Sequence, residues 1–173
     1  MKEEQNKFVR KEQALQLTTH KQLWTMNKDY MDKMEQNDLQ LFYEFNEQQK
    51  LFNSITPTKP MEQFDAIAWH KTRTFAVELK HRFIPINKYK TLFIEDYKFA
   101  ALMLEYIINK REPLYVNILH DAIAIFNLNK LKHKPKMTIK NIKSQGYEHM
   151  QLQERRFELD LNDAVIYPLK KGS

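Results

Sequence analysis

The chain has 173 residues, 42% of them hydrophobic and 29% charged, enough apolar mass for one folded core and too much for general disorder. With 28 Lys and Arg against 22 Asp and Glu it carries a formal charge of +6, which suits an anionic partner. The lack of cysteine excludes disulfide frameworks, zinc-thiolate centres and cysteine nucleophiles, and glycine only at Gly146 and Gly172 excludes a glycine-rich phosphate loop.

Residues 1–53 hold neither Gly nor Pro, are rich in Gln, Glu, Lys and Leu, and place Leu39, Phe42, Tyr43 and Phe45 at helical offsets, which predicts two helices. Pro57 and Pro60 then break helical structure, leaving a loop or a short edge strand. From Phe64 two short runs, FDAIAWH and TFAVELK, flank Lys71-Thr72-Arg73 and predict a β-hairpin. Ile67, Trp69 and Ala76 fall on one face, and Phe64, Ala66, Phe75, Val77 and Leu79 on the other. Strands apolar on both faces belong inside a sheet covered by helices. The segment 94–111, IEDYKFAALMLEYIINKR, predicts a helix with acids at its start and Lys110-Arg111 at its end. Pro113 stops it, and PLYVNIL and AIAIFNL around His120-Asp121 predict two more strands. After Leu128 comes a basic loop with Lys130, Lys132, Lys134, Lys136, Lys140 and Lys143, followed by a tail that is ambiguous between strand and loop. This order predicts an α/β fold with a central mixed sheet flanked by helices. No apolar run approaches the roughly 18 residues of a membrane span, so a cytoplasmic protein without a membrane partner is expected.

The hairpin carries charges where burial is deepest. A symmetric turn centred between Lys71 and Thr72 puts Asp65 directly opposite Glu78, and like charges so placed destabilise a sheet. Lys80 projects from the face of Glu78 and would offset part of that cost. A divalent cation would offset more, because hard ions take oxygen ligands from one or two carboxylates. The alternative is a set of strand-end charges, with Glu78 paired to Lys80 or to a loop lysine.

Asp65, then Glu78-Leu79-Lys80 on the next strand, then an amphipathic helix and a further strand, resemble the PD-(D/E)XK nuclease superfamily. That group includes restriction endonucleases and archaeal-type Holliday junction resolvases. The resemblance covers 38–128 and implies a restriction endonuclease-like core, preceded by a helical extension (1–37) and followed by a basic loop and C-terminal extension (129–173), all within a single domain 1–173. It implies Asp65 and Glu78 as ligands of Mg²⁺ or Mn²⁺, the Leu79 carbonyl as a further ligand, and Lys80 as the residue that positions or activates the attacking water. The family's first-helix acid maps onto Glu44, with Glu47 as second choice. Phe64 stands where the motif has proline, and the first strand of the family's meander is hard to find in FNSITPTKPMEQ.

The expected activity is metal-dependent hydrolysis of DNA phosphodiesters, directed by DNA structure as in resolvases, by a homodimer that would suit a phage or mobile element. Lys71, Arg73, Arg82, Lys98, Lys130, Lys132, Lys134 and Lys136 are the expected contacts to the nucleic-acid backbone. Two other readings stand beside it: a nucleic-acid-binding protein of the same fold without turnover, and a protein-interaction module working through the helical N-terminus.

Overall fold

The computed structural model describes residues 33, 36–59, 62–143 and 151–169. The chain divides into two compact units, Met1–Asn37 and Asp38–Ser173. The expected first helix lies outside the described residues. The second is α1, residues 36–49.

From Asp38 onward, α1 leads into a six-stranded sheet ordered β1-β2-β3-β5-β6-β9. Its strands are β1 (Ser54–Pro57), β2 (Ala66–His70), β3 (Arg73–His81), β5 (Glu112–Ile118), β6 (Ala122–Asn127) and β9 (Ala164–Pro168). β3 and β5 run parallel, and every other neighbouring pair is antiparallel. The crossover between β3 and β5 contains β4 (Thr91–Glu95) and the helix α2 (Asp96–Asn109), a connection of the length that parallel neighbours require. β4 belongs to a second antiparallel sheet, β4-β8-β7, completed by β7 (Lys136–Lys143) and β8 (Gln151–Asp160).

Alternation along the central strands sorts the core into two layers. Phe75, Val77, Leu79, Leu114, Val116, Ile123 and Ile125 face one way and pack with Phe42 and Phe45 of α1 and with Phe52. Ala76, Tyr115, Ala124 and Phe126 face the other way and pack with Leu102 of α2, Leu92 and Ile94 of β4, and Leu159 of β8. Each buried phenylalanine contributes about 1.5–3 kcal/mol relative to an exposed one. The central strands are apolar on both faces because both faces are covered.

Of the loop or short edge strand expected around Pro57, the edge strand forms: SITP is β1, where the missing amide of Pro57 is tolerated, and it supplies the first strand of the meander. Three features differ from expectation. Phe64 packs in the α2 layer with Ala76 rather than with Val77, because residues 62–65 form a bend before β2 and are not bound by its alternation. Ile94 and Glu95 end a strand, and the helix begins one residue later at Asp96. The basic segment is no loop from Lys136 on; it is β7, and the tail supplies both β8 and a sixth strand of the central sheet.

Candidate active site

β2 and β3 pair in the expected register, from His70 opposite Arg73 to Ala66 opposite Val77. Lys71 turns the chain with φ of 54°, a left-handed value that a lysine adopts at some cost. The ladder stops one residue short of the carboxylates. There Asp65 donates its amide to the Val77 carbonyl at 2.9 Å, and its carbonyl accepts from the Thr58 amide at 2.9 Å. Its carboxylate Oδ2 accepts from the Leu79 amide at 2.6 Å, so Asp65 is held against β3 beside Glu78.

Glu78 is only 6% exposed. Lys98, from the first turn of α2, donates to both its oxygens, at 2.9 and 3.1 Å. Burial, and then the Asp65 charge, push the Glu78 carboxyl up to about 8 in spite of Lys98. Burial pushes Asp65 up as well, against the Leu79 hydrogen bond and the nearby lysines. Burial alone would also raise Glu95, but Lys80, 3.0 Å away, holds it below its ordinary value. Lys80 is therefore partnered by Glu95 at the end of β4, and its field still reaches Asp65 and Asp38.

The α1 acid at this site is Asp38, not Glu44. Asp38 lies on the helix face of the buried Phe42 and Phe45, four and seven residues on, and this face carries it to the C-terminal end of β3. There it bonds His81 Nδ1 at 2.9 Å, and its charge acts on Asp65. Burial raises the Asp38 carboxyl, opposed by His81 and Lys80. Glu44 sits two residues past Phe42 on the opposite, exposed face, where it accepts from Gln40 at 2.9 Å. Glu47 is exposed too and pairs with Lys50.

Asp38, Asp65, Glu78, Lys80, Glu95 and Lys98 thus interact at the C-terminal end of β3. Among the described residues no three histidine, aspartate or glutamate groups form a ready-made metal cage. Asp65 and Glu78 still fit a hard divalent cation: both are oxygen donors, Glu78 is buried and Asp65 half-buried, and their mutual repulsion is only partly met by lysine. Such an ion takes few protein ligands and completes its shell with water and phosphate. At Leu79 it is the amide that contacts a carboxylate.

The expected nucleic-acid contacts separate. Lys98 joins the site itself. Arg82 is held within the fold: Nε donates to Asn117 at 2.7 Å, Nη2 to the Tyr115 hydroxyl at 3.0 Å and to the Phe93 carbonyl. Lys71 and Arg73 lie at the turn end of β3; at about 3.3 Å per residue, Arg73 is about 16 Å along the strand from Glu78. Arg73 and Lys130 both pair with Glu112 there, which commits them to one carboxylate away from the site. Lys132, Lys134 and Lys136 are exposed.

The residues missed in sequence are Asp38 and Glu95, and His81 was legible only as one of the basic groups around the hairpin, not as the partner of Asp38. Asp38 and Glu95 had legible signals: a helical offset to Phe42 and Phe45, and the short apolar run Leu92-Phe93-Ile94, rich in strand-forming residues, just before Glu95. The pairing of His81 had none, since its partner is far away in sequence.

No protein-family model and no curated protein matches this sequence. Among solved structures the chain is similar to Hjc, a Holliday junction resolvase from Archaeoglobus fulgidus, at 13% identity and a TM-score of 0.47. The likeness covers 72% of this chain and 84% of that one.

Proposed function

We propose that the protein is a metal-dependent nuclease of the PD-(D/E)XK type that hydrolyses DNA phosphodiesters at particular DNA structures, working as a homodimer. The observation that carries this reading is the meeting of Asp65, the residue before β2, with Glu78 of β3, close enough for their charges to act on each other, with the Lys80 charge reaching Asp65. Bound between the two carboxylates, Mg²⁺ or Mn²⁺ would polarise the scissile phosphate and lower the pKa of a water. Lys80 would leave Glu95 to orient that water or to meet charge developing on the phosphate. Asp38 and His81 would hold the outer edge of the site. Lys98 would release Glu78 to the metal and turn to the DNA backbone.

One observation favours a second reading, a nucleic-acid-binding protein of this fold without turnover. Lys98 donates to both oxygens of Glu78, as a lysine would in a site that no longer binds metal. Linear duplex, single-stranded, flap and four-way DNA, each incubated with Mg²⁺, Mn²⁺ or chelator, separate the two. Metal-dependent product from at least one substrate is expected of the nuclease. Binding of all of them with no product under any metal would leave the second reading in place.

A further inference from the structure

The outer face of the β4-β8-β7 sheet carries a cleft that the proposed chemistry does not use. Its volume is about 400 Å³, enough for one nucleotide, and Arg82, Phe83, Tyr89, Phe93, Lys140 and Arg156 form much of its lining. The Phe93 ring lies between two guanidiniums, with Arg82 4.2 Å and Arg156 4.0 Å from its centroid. Arg156 is 6% exposed; its Nη2 lies 3.6 Å from Glu154, and its Nε has no acceptor among the described residues. A buried guanidinium donor without an acceptor is costly unless a ligand or water meets it. The two other aromatics stay open to solvent, Phe83 at 76% and Tyr89 at 53% exposure. Large exposed aromatic faces beside buried cations are the elements of a stacking and phosphate-binding site for an unpaired base.

The cleft adjoins the carboxylates. His81 bonds Asp38 on one side and stacks its ring on Phe83, centroids 4.4 Å apart, on the other. Lys80, His81, Arg82 and Phe83 are consecutive, so the strand that ends in the active site runs directly into the cleft. Glu95, the partner of Lys80, lies opposite Arg156 in the second sheet. A strand whose phosphate lies at Asp65 and Glu78 would have a neighbouring nucleotide at the cleft mouth. Glu158 is the one acidic group in the lining and offers a base an acceptor, while Lys140 stands on the next strand.

We infer that this cleft binds an unpaired nucleotide next to the scissile phosphate, stacking its base on Phe83 and Tyr89 and holding its phosphate with Arg156 and Lys140. The inference rests on the nuclease reading for the phosphate at the carboxylates, and it narrows the substrate to DNA with an unpaired base at the cut.

The test is made on the full chain in chelator, by binding alone, so that it does not depend on cleavage. Two duplexes are compared that differ only in one unpaired 2-aminopurine. The unpaired form should bind about tenfold more tightly, with the fluorescence change of a stacked base. Phe83→Ala and Tyr89→Ala, both at exposed side chains, should remove that preference, read as the ratio of the two affinities within each variant. Equal affinity for the two duplexes, or a preference that survives both substitutions, overturns the inference. A preference without cleavage in the metal panel would overturn only the nuclease reading, and cleavage without a preference would overturn only the cleft.

Discussion

At the scale of single residues, Glu78 concentrates the cost of this site. Its carboxyl in the unfolded chain titrates near 4.5 and in the folded chain near 8. Between these values the folded state holds a proton that the unfolded state has lost, so the stability of the metal-free protein falls as pH rises from about 4.5 to about 8. Glu78→Gln, assayed in chelator by urea unfolding, should flatten that dependence and be the more stable form at pH 8 by on the order of 1–3 kcal/mol. A wild-type protein with no such fall would show that the pair is not under electrostatic load. Asp38 offers a second residue-scale test. Asp38→Asn should cut the cleavage rate by about 10–100-fold by loosening His81 and the site edge, whereas Glu44→Gln should leave it unchanged. The choice between those acids was legible in the sequence, since only Asp38 shares the helix face of Phe42 and Phe45. The pairing of Glu78 with Lys98 and of Lys80 with Glu95 was not, because both partners come from a crossover whose folding back onto β3 no local pattern specifies.

Among the elements, the hairpin β2–β3 brings Asp65 to Glu78, and its register was legible from length and symmetry alone. Its turn was less so: Lys71 occupies a left-handed conformation without the Asn-Gly that usually announces one. Lys71→Gly should relieve that strain and raise stability by up to about 1 kcal/mol, seen as a higher Tm. Because Lys71 stands at the end of the sheet away from Glu78, the same substitution should not change DNA affinity. Two strands were less legible, for separate reasons. β1, open in the sequence between a loop and an edge strand, ends in Pro57, a residue that usually argues against a strand and is tolerated only at an edge. In β7 the abundance of lysine masked a clear alternation, with Lys136, Thr138 and Lys140 on one side and Met137 and Ile139 on the other. A charge run is not by itself a loop when every second residue is apolar.

For the whole molecule, the surplus of six positive charges bears on affinity more than on stability. Lys134 and Lys136 are exposed near the start of β7, and neutralising them should lower the slope of log affinity against log salt by about 1 each without altering structure preference. Arg73 and Lys130, committed to Glu112, should contribute little to that slope. The mixed sheet and its two covered faces were legible in the sequence, because β2, β3, β5 and β6 are short and apolar on both sides and one clear helix separates the first pair from the second. The second sheet was not, since its three strands are drawn from two distant parts of the chain. We propose that Asp65 and Glu78 form one metal-dependent hydrolytic centre. It is tested most directly by cleavage of four-way and flap DNA in Mg²⁺ by wild type, Asp65→Asn and Glu78→Gln, with binding measured in parallel. Loss of cleavage by at least about 100-fold in both variants, with binding retained, is the predicted result; variants that cut as well as wild type would contradict it.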